Sequence, residues 1–168
     1  MSIYEKLWAI PEDTRNKIRE WGDKLQVYIP VITLGFCACM MTNQFSIWYV
    51  IYFALCMLMM VLIKALFNNP RPREIEGSED PDDNPDLDLE WSPTEGQSFL
   101  SGHSSSASAG AWVAFSINPW LGVVLLVLAL FVGFSRIVAK AHWIRDVVCA
   151  FIMTGAIWWI FLEYLVVV

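Results

Sequence analysis

Only two histidines and four cysteines occur among the 168 residues of this chain, and each scarcity removes a class of protein. Both histidines stand in short motifs described below, so no cluster that joins Asp or Glu to His occurs elsewhere, and neither a resident metal nor another cofactor is expected. The cysteines (Cys37, Cys39, Cys56 and Cys149) all fall inside apolar segments. There they behave as small buried hydrophobes, not as a disulfide framework. Cys37 and Cys39 are two apart and point to different faces of a helix, a poor pair for bridging. Basic residues are outnumbered, 11 Lys and Arg against 17 Asp and Glu, for a net charge of −6. Most of that charge comes from one acidic stretch, and no nucleic-acid partner is expected. No internal repeat is visible, and the first residues lack the uninterrupted apolar core of a signal peptide, so cleavage there is not expected.

What the chain has in quantity is apolar and aromatic side chains: 57% of it is hydrophobic, with 9 Trp and 10 Phe. Soluble domains are about half apolar, so this composition points to an integral membrane protein. Apolar runs lie at Val27 to Met41, Phe45 to Phe67, Ser101 to Ile117, Trp120 to Val138 and Val147 to Val168. Each approaches the roughly 20 residues that cross the hydrocarbon core as a helix, the first and third being short. The expected fold is an all-α integral-membrane bundle of about five transmembrane helices, forming one domain over residues 1–168, in a cell (inner) membrane. Turns at Thr42-Asn43-Gln44 and Asn118-Pro119 make the flanking helices antiparallel neighbours.

Two regions stand outside the spans. Residues 1–25 mix Ile3, Leu7, Trp8, Ile10, Ile18 and Trp21 with Lys6, Arg15, Lys17 and Arg19. They are expected to form an interfacial amphipathic segment of one or two helices, with Pro11 starting the second. Residues 68–99 carry five prolines and a run of acids from Glu74 to Glu90, the pattern of an irregular loop outside the membrane. Asp82, Asn84, Asp86 and Asp88 alternate somewhat like a calcium loop. The glycine and closing glutamate of that motif are missing, so a solvated acidic loop is expected.

With five spans, three polar clusters converge on one membrane face. Lys64 and Arg71-Pro72 leave the second span together; each cation alone would snorkel to the interface. Side by side they suit a phosphoryl ligand, Arg as a bidentate fork and Lys as a point charge. Ser101-Gly102-His103 opens the third span, where free backbone N–H groups and the helix dipole favour an anion. The serines and small residues that follow, Ser106 and Gly110 among them, also fit a closely packed helix. Ser135-Arg136 precedes His142 and Asp146, which are four apart and share a helical face. The carboxylate is expected to accept a proton from one imidazole nitrogen, fixing the tautomer and leaving the other nitrogen as a nucleophile. Arg136 falls off that face on a continuous helix, so a bend between Arg136 and His142 is required.

Lys64 to Pro72 reads K-x6-R-P, Ser101 to His103 reads S-G-H, and Ser135 to Asp146 reads S-R-x5-H-x3-D. In this order the three resemble the signatures of the type 2 phosphatidic acid phosphatases, membrane lipid phosphatases that share their site with vanadium haloperoxidases. Two departures are Leu100, where the family usually has proline, and five spans where such enzymes often have six. The resemblance implies a metal-independent hydrolase of lipid phosphates or diphosphates. His142 would attack phosphorus and form phosphohistidine, Asp146 would orient it, and His103 would protonate the leaving oxygen and activate water. Lys64, Arg71, Ser101, Gly102 and Arg136 would hold the phosphoryl oxygens.

A haloperoxidase would be large and soluble, which this chain is not. A non-catalytic phosphate- or phospholipid-binding protein, or a transporter, would need the cations but not both histidines and Asp146. The expected partners are a lipid phosphate substrate and membrane lipids; neither the particular lipid nor an oligomeric state follows from the sequence. Orientation is argued both ways. All 11 basic residues lie on the N-terminal and active-site face, which puts that face in the cytoplasm. The family resemblance favours the opposite side.

Overall fold

The computed structural model describes residues 3–40, 43–67, 69–72 and 98–163, leaving aside the side chains of 39–46. Every regular element among them is helical. They are α1 (Ile3–Trp8), α2 (Glu12–Met40), α3 (Asn43–Leu66), α4 (Gly102–Ile117), α5 (Pro119–Val138) and α6 (Ile144–Phe161). The acidic stretch at 73–97, including the four residues that alternate like a calcium loop, lies outside the described residues, as do Met41 at the end of the first apolar run and Thr42 of the first expected turn.

The N-terminal region departs from expectation. Pro11 does begin a helix, its carbonyl accepting from the N–H groups of Thr14 and Arg15 at 3.0 Å each. That helix, however, does not stop near residue 25. It runs unbroken for 29 residues into the first apolar segment, about 44 Å at 1.5 Å per residue. Residues 12–25 of the expected amphipathic segment are thus continuous with the helix of the first apolar segment and do not end before it. Its packing explains why: a Cβ on Gly22 would stand 1.9 Å from Ser135 Oγ. The glycine lets α2 lie directly against α5, which offsets the roughly 1 kcal/mol that glycine costs inside a helix.

Helical segments stand at all five places where spans are expected, and among the described residues three are long and apolar enough to cross a membrane: Ile47–Leu66, Pro119–Val138 and Ile144–Phe161. The other two are the short ones. Helix α4 has 16 residues and buries Ser104, Ser105, Ala107, Ser108, Ala109, Gly110 and Ala111. It is the central post, packed against α2, α3, α5 and α6. Small side chains let its neighbours approach: a Cβ on Gly110 would meet Pro30 Cα of α2 at 3.2 Å. Buried hydroxyls tie these contacts, Thr33 Oγ1 donating to the Gly110 carbonyl at 3.1 Å and Ser108 Oγ lying 2.9 Å from Thr154 Oγ1. Such interhelical bonds in lipid contribute roughly 0.6 kcal/mol each.

Asn118 separates α4 from α5 by one residue; its Oδ1 accepts from Trp120 N and Leu121 N, and Pro119 fills the first helical position. The outward faces carry Val31, Val50, Leu58, Val127, Ile152 and Trp159, all exposed, as a chain solvated by lipid requires. Cys37, Cys56 and Cys149 are free thiols.

Candidate active site

Four segments meet at one end of the bundle: the last turn of α3, residues 69–72, residues 98–103, and the turn joining α5 to α6. Hydrogen bonds close the ring. Ser98 N donates to the Asn69 carbonyl at 2.8 Å, Ser101 N to the Asp146 carbonyl at 3.4 Å, and Trp143 Nε1 to the Pro70 carbonyl at 3.1 Å. The three polar clusters expected on one face do converge, with Lys64 buried at the end of α3 and Pro72 buried beside Arg71.

The required bend between Arg136 and His142 is a Schellman turn. Helix α5 ends with Ala141 N donating to the Arg136 carbonyl at 3.0 Å and Lys140 N to the Ile137 carbonyl at 3.1 Å, the two bonds of that motif. Lys140 takes the left-handed conformation, φ 58°, usually given to glycine. His142 N also reaches the Arg136 carbonyl, at 3.3 Å. The turn therefore carries His142 back over the end of α5, toward the buried Arg136.

Around His142 the structure alters one expectation. Asp146 Oδ2 lies 3.7 Å from His142 Nδ1, beyond hydrogen-bond range. The partner of Nδ1 is the Ser98 carbonyl, at 2.8 Å. Since a carbonyl only accepts, the proton sits on Nδ1, and the lone pair belongs to Nε2. Asp146 stands behind this contact, fully buried, with Oδ2 accepting from Ser98 Oγ at 2.7 Å and from Trp143 N at 2.9 Å. It thus fixes the residue that fixes His142, and it also caps α6. Its Oδ1 accepts no hydrogen bond among the described residues, the Arg145 Nε being 3.6 Å away. Burial pulls the His142 pKa down to about 4 against the opposing influence of the nearby Asp146 carboxylate, and the charges of Lys64, Arg136 and Arg71 push the same way as burial. The imidazole is therefore neutral at pH 7, with three cations close enough to act on it.

At the start of α4, Ser101 is the N-cap, its Oγ accepting from Ser104 N at 3.3 Å and from Ser104 Oγ at 2.9 Å. Gly102 is the first helical residue and His103 the second. His103 Nε2 stands 3.3 Å from Asp23 Oδ1, the same oxygen that accepts from Arg136 Nη1 at 2.8 Å. Asp23 comes from α2, one residue beyond the glycine packed on Ser135. Above the turn, α1 forms a lid of rings. Tyr4 meets Trp143 edge to face at 5.3 Å, Trp8 Nε1 donates to the Ile137 carbonyl, and Ile144 N donates to Tyr4 Oη. A cavity of about 240 Å³ opens there, lined by Tyr4, Pro70, Trp143 and Arg145.

Cations, a neutral imidazole and an open helix N-terminus together favour an anion with several oxygens. Among the described residues no group of three His, Cys, Asp or Glu is placed to hold a metal ion. The profile of the PAP2 superfamily matches residues 45–167. The chain belongs to that superfamily. Its PAP2 fold is shared across 96% of the chain with the crystal structure of Aquifex aeolicus LpxE, at a TM-score of 0.71 and 20% identity, over 93% of that chain. A lipid A 1-phosphatase of Porphyromonas gingivalis is 40% identical over 60 residues, a match that covers 33% of this chain and 14% of that protein.

Three groups that the structure brings to this candidate site carry no mark in the sequence motifs: Asp23, Ser98 and the aromatic lid of α1. Gly22-Asp23 inside an otherwise good helical stretch was a usable signal, since an interior helical glycine usually has a packing reason. Ser98 acts on His142 through its backbone, which no residue type announces.

Proposed function

We propose that this protein is an integral-membrane phosphatase that hydrolyses the terminal phosphate of a lipid phosphate through a phosphohistidine on His142, without a metal. The observation that carries the reading is the 2.8 Å contact of His142 Nδ1 with the Ser98 carbonyl. It leaves the Nε2 lone pair available for attack, in a neutral ring acted on by Lys64, Arg71 and Arg136.

Those cations, with the Ser101 hydroxyl and the Gly102 N–H, hold the phosphoryl oxygens and offset the charge of the transition state. His142 Nε2 attacks phosphorus in line with the lipid oxygen. As the P–O bond breaks, its electron pair leaves with that oxygen, which takes a proton from His103. The ring positive charge that develops is stabilised by Asp146 through Ser98 and through space. In the second half, His103 takes a proton from water, the water oxygen bonds to phosphorus, and phosphate leaves as His142 is restored. A binding protein or transporter would use the cations and helix start, but it would have no need for a tautomer-fixed imidazole. The relative's name makes a phosphorylated glycolipid such as lipid A the first substrate to try, beside phosphatidic acid, phosphatidylglycerol phosphate and polyprenyl diphosphates.

Purified in detergent, the protein should release phosphate from members of that panel in EDTA and be inhibited by vanadate, which imitates the trigonal-bipyramidal phosphoryl group. Rapid-quench labelling should trap phosphohistidine in the parent protein and none in His142→Ala, whose turnover should fall by about 10⁴-fold or more. Activity lost to EDTA and restored by magnesium, or label retained in His142→Ala, would overturn the proposal.

A further inference from the structure

His142 has a carboxylate one helical turn away, and nothing near His103 in sequence plays that part. The fold supplies one from a different helix. Asp23 Oδ1 lies 3.3 Å from His103 Nε2 and 2.8 Å from Arg136 Nη1, so a single oxygen joins α2 to both α4 and α5. The side chains differ in exposure: Arg136 is 6% exposed, His103 30% and Asp23 39%. The contact is thus fixed from its Arg136 side and open enough on the His103 side for proton traffic. Its position is not left to a flexible loop, because Gly22 seats α2 against Ser135 with no room for a side chain. Burial works against the Asp23 charge, yet the His103 hydrogen bond and the charges of Arg136, His103 and Arg19 hold its carboxyl below the usual carboxylate range.

We infer that Asp23 is the positioning carboxylate of His103, fixing the ring so that Nε2–H donates to Asp23 and Nδ1 exchanges the proton with substrate and water. The inference rests on the reading of His103 as acid and base in the proposed phosphatase reaction. In the first half the imidazolium loses its Nδ1 proton to the lipid oxygen as the P–O bond breaks, leaving the Nε2–H tautomer on Asp23. In the second half Nδ1 takes a proton from the attacking water. Without Asp23 the neutral ring divides between two tautomers and orientations, and only one of these serves the reaction. Asp23 is not itself catalytic, since it acts through His103.

The test is rapid-quench labelling of the protein in detergent with two phosphate monoesters: a lipid monophosphate, whose alkoxide needs a proton to leave, and 4-nitrophenyl phosphate, whose phenolate does not. His103→Ala should be slow on the lipid and should accumulate phosphohistidine from the aryl ester, because hydrolysis stalls. Asp23→Ala should do the same, with lipid turnover down by roughly 10²-fold, and Asp23→Asn should show a milder form. Asp23→Ala placed in the His103→Ala protein should cost little more. If Asp23 served only to hold Arg136, then Asp23→Ala would instead resemble Arg136→Ala, with raised KM for both substrates and little phosphoenzyme, and the inference would be wrong. Parent-like turnover of both substrates in Asp23→Ala would also overturn it. If His103→Ala itself accumulates no phosphoenzyme, the role of His103 fails, whatever Asp23 does.

Discussion

The His142 end of the site is built mostly from one turn, residues 136–146, closed by the backbone of Ser98, whereas the His103 end depends on a side chain 113 residues from the arginine it shares. In the first, main-chain groups do the holding: the Arg136 carbonyl accepts from Ala141 and His142, and the Ser98 carbonyl meets the ring. In the second, geometry is inherited from how α2 packs on α5. Backbone contacts survive most side-chain changes, but a packing contact moves with the helix that carries it. The nucleophile should therefore be robust to substitution around it, and the acid and base should be sensitive to substitutions that touch no substrate.

Gly22→Ala is the strongest way to break this contrast. Helix propensity alone would have alanine stabilise α2 by about 1 kcal/mol. The new Cβ, however, would lie 1.9 Å from Ser135 Oγ and 2.6 Å from Ser135 Cβ, and the second distance cannot be relieved by rotating the hydroxyl. The helix has to move, at a cost of about 1–3 kcal/mol for overpacking, so the clash wins. A shift near 1 Å at Asp23 is expected to lower lipid turnover by roughly 10²-fold. Phosphohistidine should still form from 4-nitrophenyl phosphate, because His142 is held elsewhere. Thermal stability and turnover above those of the parent would show that α2 does not seat as described.

Ser98→Ala sharpens the contrast from the other side and should do less. It removes the hydroxyl that donates to Asp146 Oδ2 at 2.7 Å but keeps the carbonyl that holds His142. A hydrogen bond to a charged group is worth about 1.5–3 kcal/mol, and Trp143 N still donates to the same oxygen. Turnover is expected to fall by about 10-fold, near the lower end of that range, with KM little changed. A loss as large as that of His142→Ala would mean that Asp146 reaches His142 only through the serine hydroxyl.

The same contrast explains what was legible in the sequence. Lys64, Arg71, Ser101, Gly102, His103, Arg136, His142 and Asp146 are all recognisable because their chemistry is carried by residue type at fixed spacing. The need for a bend after Arg136 followed from helical geometry, though its form, with Lys140 at positive φ, did not. Asp23 escaped because the charged residues from Glu12 to Lys24 read as the polar face of a surface helix, and periodicity cannot tell a face turned to water from one turned to a partner. The spacing of His142 and Asp146 predicts a direct bond between them, and the structure interposes Ser98. A four-residue spacing brings the side chains within 3.7 Å, but a backbone carbonyl from 44 residues earlier lies closer.

The smallest effect expected here is on stability, and its sign follows from His142. Burial, opposed by Asp146 and reinforced by Lys64, Arg136 and Arg71, pulls the pKa of this histidine from 6.5 to about 4 in the folded protein. Between those values the unfolded chain binds a proton that the folded chain does not. Stability therefore rises with pH across this window, is complete above about 6.5, and is lost as pH falls toward 4. From pH 7.5 to pH 5 the loss amounts to about 2 kcal/mol by linkage, a drop of several degrees in the unfolding midpoint for a chain of this size. His142→Gln, which does not titrate there, should lack this component, so its midpoint should fall less over the same interval than that of the parent. Thermal unfolding in one detergent at the two pH values makes the comparison. Equal slopes for the two proteins would mean that His142 is not held neutral by its surroundings, and the backbone-held half of the contrast would lose its electrostatic basis.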